Sequence, residues 1–175
     1  MNTSRTRGPV RVSLLTLVAS TWLPATVVHA GGCWSKPVAA AVTDPFREPE
    51  CRWCPGNRGL EYATTAGTVV RAVAAGTVTF AGMVAGTTYV VVRHADGPRA
   101  TDGNLEHRTV DVADTVVRGA LVGRTAGRFH FGVRDGDTYI DPAPFIGTLR
   151  WRTRLIPTDG SPAPPPPPPE LVCLR

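Results

Sequence analysis

The chain has 175 residues, 19 basic and 14 acidic, for a formal net charge of +5, and is 42% hydrophobic and 19% charged. That is one domain's length of chain, and with 18 Gly and 17 Pro the composition suits short strands and tight turns and excludes a helical bundle. The positive balance supports a nucleic-acid or membrane partner only if the charges gather on the folded part.

In chain order, Arg5, Arg7 and Arg11 precede an apolar run from Val12 to Leu23, and Pro24 and Val28-His29-Ala30 follow. This is the grammar of an export signal over residues 1–30, cleaved after Ala30. The run of 12 residues falls short of the ~20 needed to span a bilayer, and no longer apolar stretch follows, so no transmembrane helix is expected in the mature chain. Cleavage would remove three arginines and no acid, lowering the net charge from +5 to +2. The remaining arginines are scattered among acids, which argues against nucleic acid as a partner. Cys33 as a lipidated N-terminus is the lesser alternative, because Ala30-Gly31-Gly32 lacks the large aliphatic residue expected three places before such a cysteine.

Export makes the cysteines readable. Cys33, Cys51, Cys54 and Cys173 are an even count in an oxidising compartment, which points to disulfides. Three full pairings are possible. The Cys51-Arg52-Trp53-Cys54 spacing also suits half a zinc site or a redox motif, but no second such pair and no βαβ pattern accompanies it.

Between about Cys33 and Ile156 short apolar runs alternate with glycine: Val69 to Val73, Val78 to Phe80, Tyr89 to Val92, then Thr109 to Val112, Val116-Val117, Leu121-Val122, Phe129 to Val133 and Tyr139-Ile140. Turn signals about every ten residues predict an all-β fold with an antiparallel meander, with Trp34, Trp53 and Trp151 near the edges of the core segment. The domain is expected over residues 31–156. Residues 157–175 form a proline-rich tail, with six consecutive prolines from Pro164 to Pro169. Proline lacks the amide donor, so this stretch reads as extended polyproline II, a spacer or stalk.

The order Gly56-Asn57-Arg58-Gly59-Leu60-Glu61-Tyr62, VRAVAAGTVTFAG (70–82), YVVVRHADG (89–97), VADTVVRGALVG, HFGVR and YIDP resembles the lysostaphin/LytM-type zinc peptidases of bacterial cell walls, over about residues 37–146. The resemblance implies a glycine-rich antiparallel β core whose groove cleaves peptidoglycan cross-bridges with one zinc. In that family a His-x-x-x-Asp pair and the second histidine of His-x-His hold the metal, and two further histidines handle the water.

Carried onto this chain, the metal positions hold Asn57, Glu61 and His130, and the two catalytic-histidine positions hold Asn104 and Arg128. One position is kept, one is a carboxylate exchange and three are lost. An amide is a poor zinc ligand beside imidazole, and Arg128 is a fixed cation next to the metal position. The expectation is a degenerate site without zinc, in which Arg128 supplies positive charge to Glu61. His94 reads as a strand-end residue, and His107, three residues after Asn104, as a remote substitute for the lost histidine. A biotinyl or lipoyl carrier role is excluded because Lys36, the sole lysine, precedes the core. No phosphate-binding loop is present.

These residues together predict a secreted protein of a bacterial cell envelope that binds peptidoglycan or a cell-wall hydrolase without catalysis. The alternative is an active zinc endopeptidase that cuts peptidoglycan cross-bridges.

Overall fold

The computed structural model describes residues 33–51, 53–153, 156–158 and 160–173. The expected export signal lies outside the described residues. Among the described residues eleven strands follow in order: β1 (Val42–Asp44), β2 (Leu60–Tyr62), β3 (Ala66–Arg71), β4 (Gly76–Val84), β5 (Thr87–His94), β6 (Arg99–Arg108), β7 (Thr115–Val116), β8 (Leu121–Asp135), β9 (Thr138–Ile140), β10 (Thr148–Arg150) and β11 (Glu170–Val172). A single 3-10 turn, Ala143–Phe145, is the helical element among the described residues. The fold is all-β and its ladders are antiparallel.

Strand β8 is the spine. Along one edge it pairs successively with β3, β2 and β9, and along the other with the whole of β6. Beyond β6 the sheet continues through β5 and β4 to β7. The β4–β5 hairpin places Val84 opposite Thr87, leaving the two-residue loop Ala85-Gly86. Both loop residues have positive φ, 48° and 82°, as a hairpin turn matching the strand twist requires.

Alternation along the strands sorts the side chains. One face buries Val70, Val78, Val90, Val92, Phe129, Phe131 and Val133, β-branched and aromatic residues that fill a pleated surface. Trp34 closes this core, its ring 4.6 Å from that of His94 and 4.9 Å from that of Phe145. Trp53 and Trp151 are instead largely exposed, so only Trp34 of the three expected edge tryptophans is a core residue.

The sheet differs from the sequence reading in three places. Leu121-Val122 and Phe129 to Val133 belong to one strand of 15 residues, β8, and Thr109 to Val112 is a loop and turn rather than a strand. The central strand β6, Arg99–Arg108, carries no apolar run and so gave no signal. It is a strand because β5 and β8 satisfy its backbone from both sides.

The cysteines pair as Cys33–Cys173 and Cys51–Cys54. The first bond links residues 140 apart, and constraining so long a loop in the unfolded chain stabilises the fold by about 5 kcal/mol in the chain-entropy picture. It also returns the end of the proline-rich segment to the domain. Strand β11 pairs with β10, Leu149 opposite Leu171, so the prolines connect two anchored points rather than leading away as a stalk.

Candidate functional site: an arginine-lined groove

The face of the sheet opposite the core holds a groove of about 960 Å³ whose floor is β2, β8, β6 and β5. It brings together all five positions singled out by the resemblance: Asn57, Glu61, Asn104, Arg128 and His130. Glu61 and His130 are register partners on β2 and β8, and the His130 Nδ1–H donates to Glu61 Oε1 at 2.6 Å. A carboxylate is acceptor-only, so the proton of this pair belongs on the ring nitrogen.

Glycines make room for that imidazole. A Cβ on Gly59 would lie 2.4 Å from the Phe131 carbonyl oxygen and 2.7 Å from His130 Cε1, and one on Gly132 would lie 3.2 Å from His130 Nε2. The ring therefore rests against bare backbone. Gly59→Ala is expected to force β2 from β8 and to destabilise the protein by about 1–3 kcal/mol. Urea unfolding measures the loss, and the His130 ring resonances should move with it.

The other positions have specific surroundings. Asn57 is buried; its Nδ2 donates to the carbonyls of Asp44 and Pro45 at 3.2 and 3.0 Å, and its Oδ1 accepts from the Gly59 amide at 3.3 Å. This amide braces the loop before β2 against the segment after β1. Asn104 sits at φ 60°, the left-handed region that Asn tolerates better than most residues, where the registers of β6 with both neighbours slip. The bulge turns the Asn104 side chain into the groove.

The expected Arg128–Glu61 pair does not form. Arg128 is exposed on the groove rim and has no ion pair among the described residues, whereas Glu61 is held by His130. Register explains the difference: Arg128 is two residues from His130 along β8, one side-chain step of about 6.6 Å on the same face. His107 is 72% exposed beside Glu106 and does not line the groove, so it offers no substitute histidine. His94 is buried with Nδ1 3.0 Å from the Ala75 carbonyl oxygen, and burial lowers its pKa. Among the described residues no three His, Cys, Asp or Glu side chains gather as a metal-binding group.

Sequence reasoning missed two features. Asp102 lies on the core face directly behind the groove, 2% exposed, with Oδ1 lacking a hydrogen-bond partner. Burial pushes its pKa up to about 8, and burial, followed by the Asp102 charge, raises Tyr62 to about 12. The second feature is a set of arginines on the groove face of β5, β6 and β8, scattered in sequence and adjacent only in the sheet.

The model of Peptidase family M23 matches residues 55–142, the span that runs from the loop before β2 to just beyond β9. The chain belongs to peptidase family M23. This M23 chain is similar, at 28% identity over 173 residues, to an uncharacterized protein of Mycobacterium tuberculosis, covering 90% of this chain and 69% of the relative. Its fold is similar to that of Helicobacter pylori Csd3, with a TM-score of 0.58 and 25% identity over 68% of this chain and 36% of Csd3. The matched part is thus about a third of the Csd3 chain. The catalytic domain of the antimicrobial peptidase lysostaphin from Staphylococcus simulans shares the fold, with a TM-score of 0.54 and 21% identity over 61% of this chain and 91% of that domain.

Proposed function

We propose that this M23 chain is an exported cell-envelope protein whose groove binds peptidoglycan without cutting it. The observation that carries the reading is the direct hydrogen bond between Glu61 and His130. These are the two donors left at the family's metal positions, and Glu61 Oε1 and His130 Nδ1 are engaged with each other.

The residues present do not fit zinc. Two ligands at tetrahedral zinc, each about 2.0–2.1 Å from the metal, stand about 3.3 Å apart, whereas Glu61 Oε1 and His130 Nδ1 are 2.6 Å apart. The third position, Asn57, spends its amide on backbone groups. At the positions of the water-handling histidines stand Asn104 and Arg128, neither of which is a base near neutral pH. What remains is a groove with donors, acceptors and fixed positive charge, suited to holding a polar chain. Two disulfides suit an oxidising compartment and support export, as does the signal-like N-terminus.

Incubation of the purified protein with isolated sacculi, with and without added zinc, tests this. The protein should pellet with the sacculi and release no cross-bridge fragments under either condition. Zinc-dependent release would establish the endopeptidase instead. Absence from the pellet would overturn wall binding and turn attention to a cell-wall hydrolase as partner.

A further inference from the structure

Arg93 on β5 lies opposite Arg99 on β6, and Arg99 lies opposite Arg134 on β8. The three form an unbroken cross-strand row on the groove face. Like charges directly opposite one another in an antiparallel sheet destabilise it, and local compensation is thin. Arg99 donates to the Gly136 carbonyl and reaches Asp137, a fully exposed carboxylate, at 3.4 Å. Arg134 donates to the Tyr139 hydroxyl and lies 4.3 Å over the Tyr139 ring. The Arg93 side chain has neither an ion pair nor a hydrogen bond among the described residues. The acids that line the groove, Asp44 and Glu61, pair with Arg47 and His130.

We propose that this row is a carboxylate subsite, and that the groove takes an extended peptide with its free carboxylate on Arg93, Arg99 and Arg134 and its amino end at Glu61. The proposal rests on the groove-binding reading above and names the ligand class. Planar guanidinium groups match carboxylates in geometry as well as charge. Arg134 and His130 are four residues apart on β8, about 13 Å at ~3.3 Å per residue, and Glu61 is the register partner of His130. An extended peptide advances at most ~3.3–3.6 Å per residue, so about four residues fill the span from row to carboxylate. A uniform polyanion fits less well, because it would place negative charge against Glu61.

Calorimetric titration of the full chain with tetra-alanine, both termini free, tests the proposal. Its C-terminal amide and a polyphosphate serve as comparisons. Charge-assisted contacts of this kind make the amide and the Arg93→Gln variant bind about tenfold more weakly. Glu61→Gln should also weaken tetra-alanine, by acting on its ammonium. Arg93→Gln should melt no lower than the parent, since it relieves a like-charge contact. Absent tetra-alanine binding, or equal binding of acid and amide, would overturn the proposal. So would polyphosphate binding that strengthens in Glu61→Gln, which would make the groove a polyanion site. Tetra-alanine binding by a protein that ignores sacculi would sink the wall-binding reading alone, and sacculus binding retained without a tetra-alanine response would sink this subsite alone.

Discussion

Asp102→Asn is expected to remove most of the loss of stability on going from pH 4 to pH 8. In the folded protein the buried carboxyl keeps its proton until about pH 8, against an ordinary value of 3.8. Between these values the unfolded chain binds fewer protons than the folded one, so stability falls as pH rises. Above about pH 8 both states are ionised and the loss is complete. At pH 7 the contribution is on the order of 4 kcal/mol, from 1.36 kcal/mol per pH unit over about three units, a large share of a typical 5–15 kcal/mol. The variant should match the parent near pH 4 and exceed it at pH 7, as urea unfolding at the two values would show. His94 supplies the opposite slope: burial lowers its pKa, so its contribution is lost as pH falls below about 6.5, and this acid limb should persist in the variant. Identical profiles for parent and variant would mean that Asp102 is ionised in the folded state.

Phe131→Ala should cost about 3–5 kcal/mol, the range for emptying a fully buried aromatic site. Phe131 has no exposed surface, meets Trp34 edge-on with ring centroids 6.4 Å apart, and is the register partner of Leu60 on β2 and Asp102 on β6. It therefore fills the core directly beneath the groove floor, one residue along β8 from His130. Guanidinium unfolding measures the cost, and Phe131→Leu should recover much of it by refilling volume. A loss below about 1 kcal/mol in the alanine variant would show that the core closes over the gap, contrary to a close-packed interior.

The residues differed sharply in how legible they were. Val90 and Val92, and Phe129, Phe131 and Val133, announced their strands through β-branched and aromatic alternation. Strand β6 did not, because apart from Ala100 and Leu105 its core-facing positions include Asp102 and its period breaks at Asn104. The motif order placed Asn57, Glu61, Asn104, Arg128 and His130 in one groove, where the structure also has them. Which of them touch was a separate matter. Arg128 and His130 are equally plausible partners for Glu61 on the sequence, but only His130 is its register partner.

By itself the sequence determined an all-β class, the turn glycines, an even set of four cysteines and the family-like order of motifs, because these depend on local backbone preference and spacing. The tertiary structure decided the pairings: Cys33 with Cys173 across 140 residues, Glu61 with His130, and the row of Arg93, Arg99 and Arg134. Each depends on strand register, and a slip of one residue would move every side chain of a strand to the other face. Register is set by the packed core and the bulge at Asn104 acting together, so no local stretch of sequence displays it.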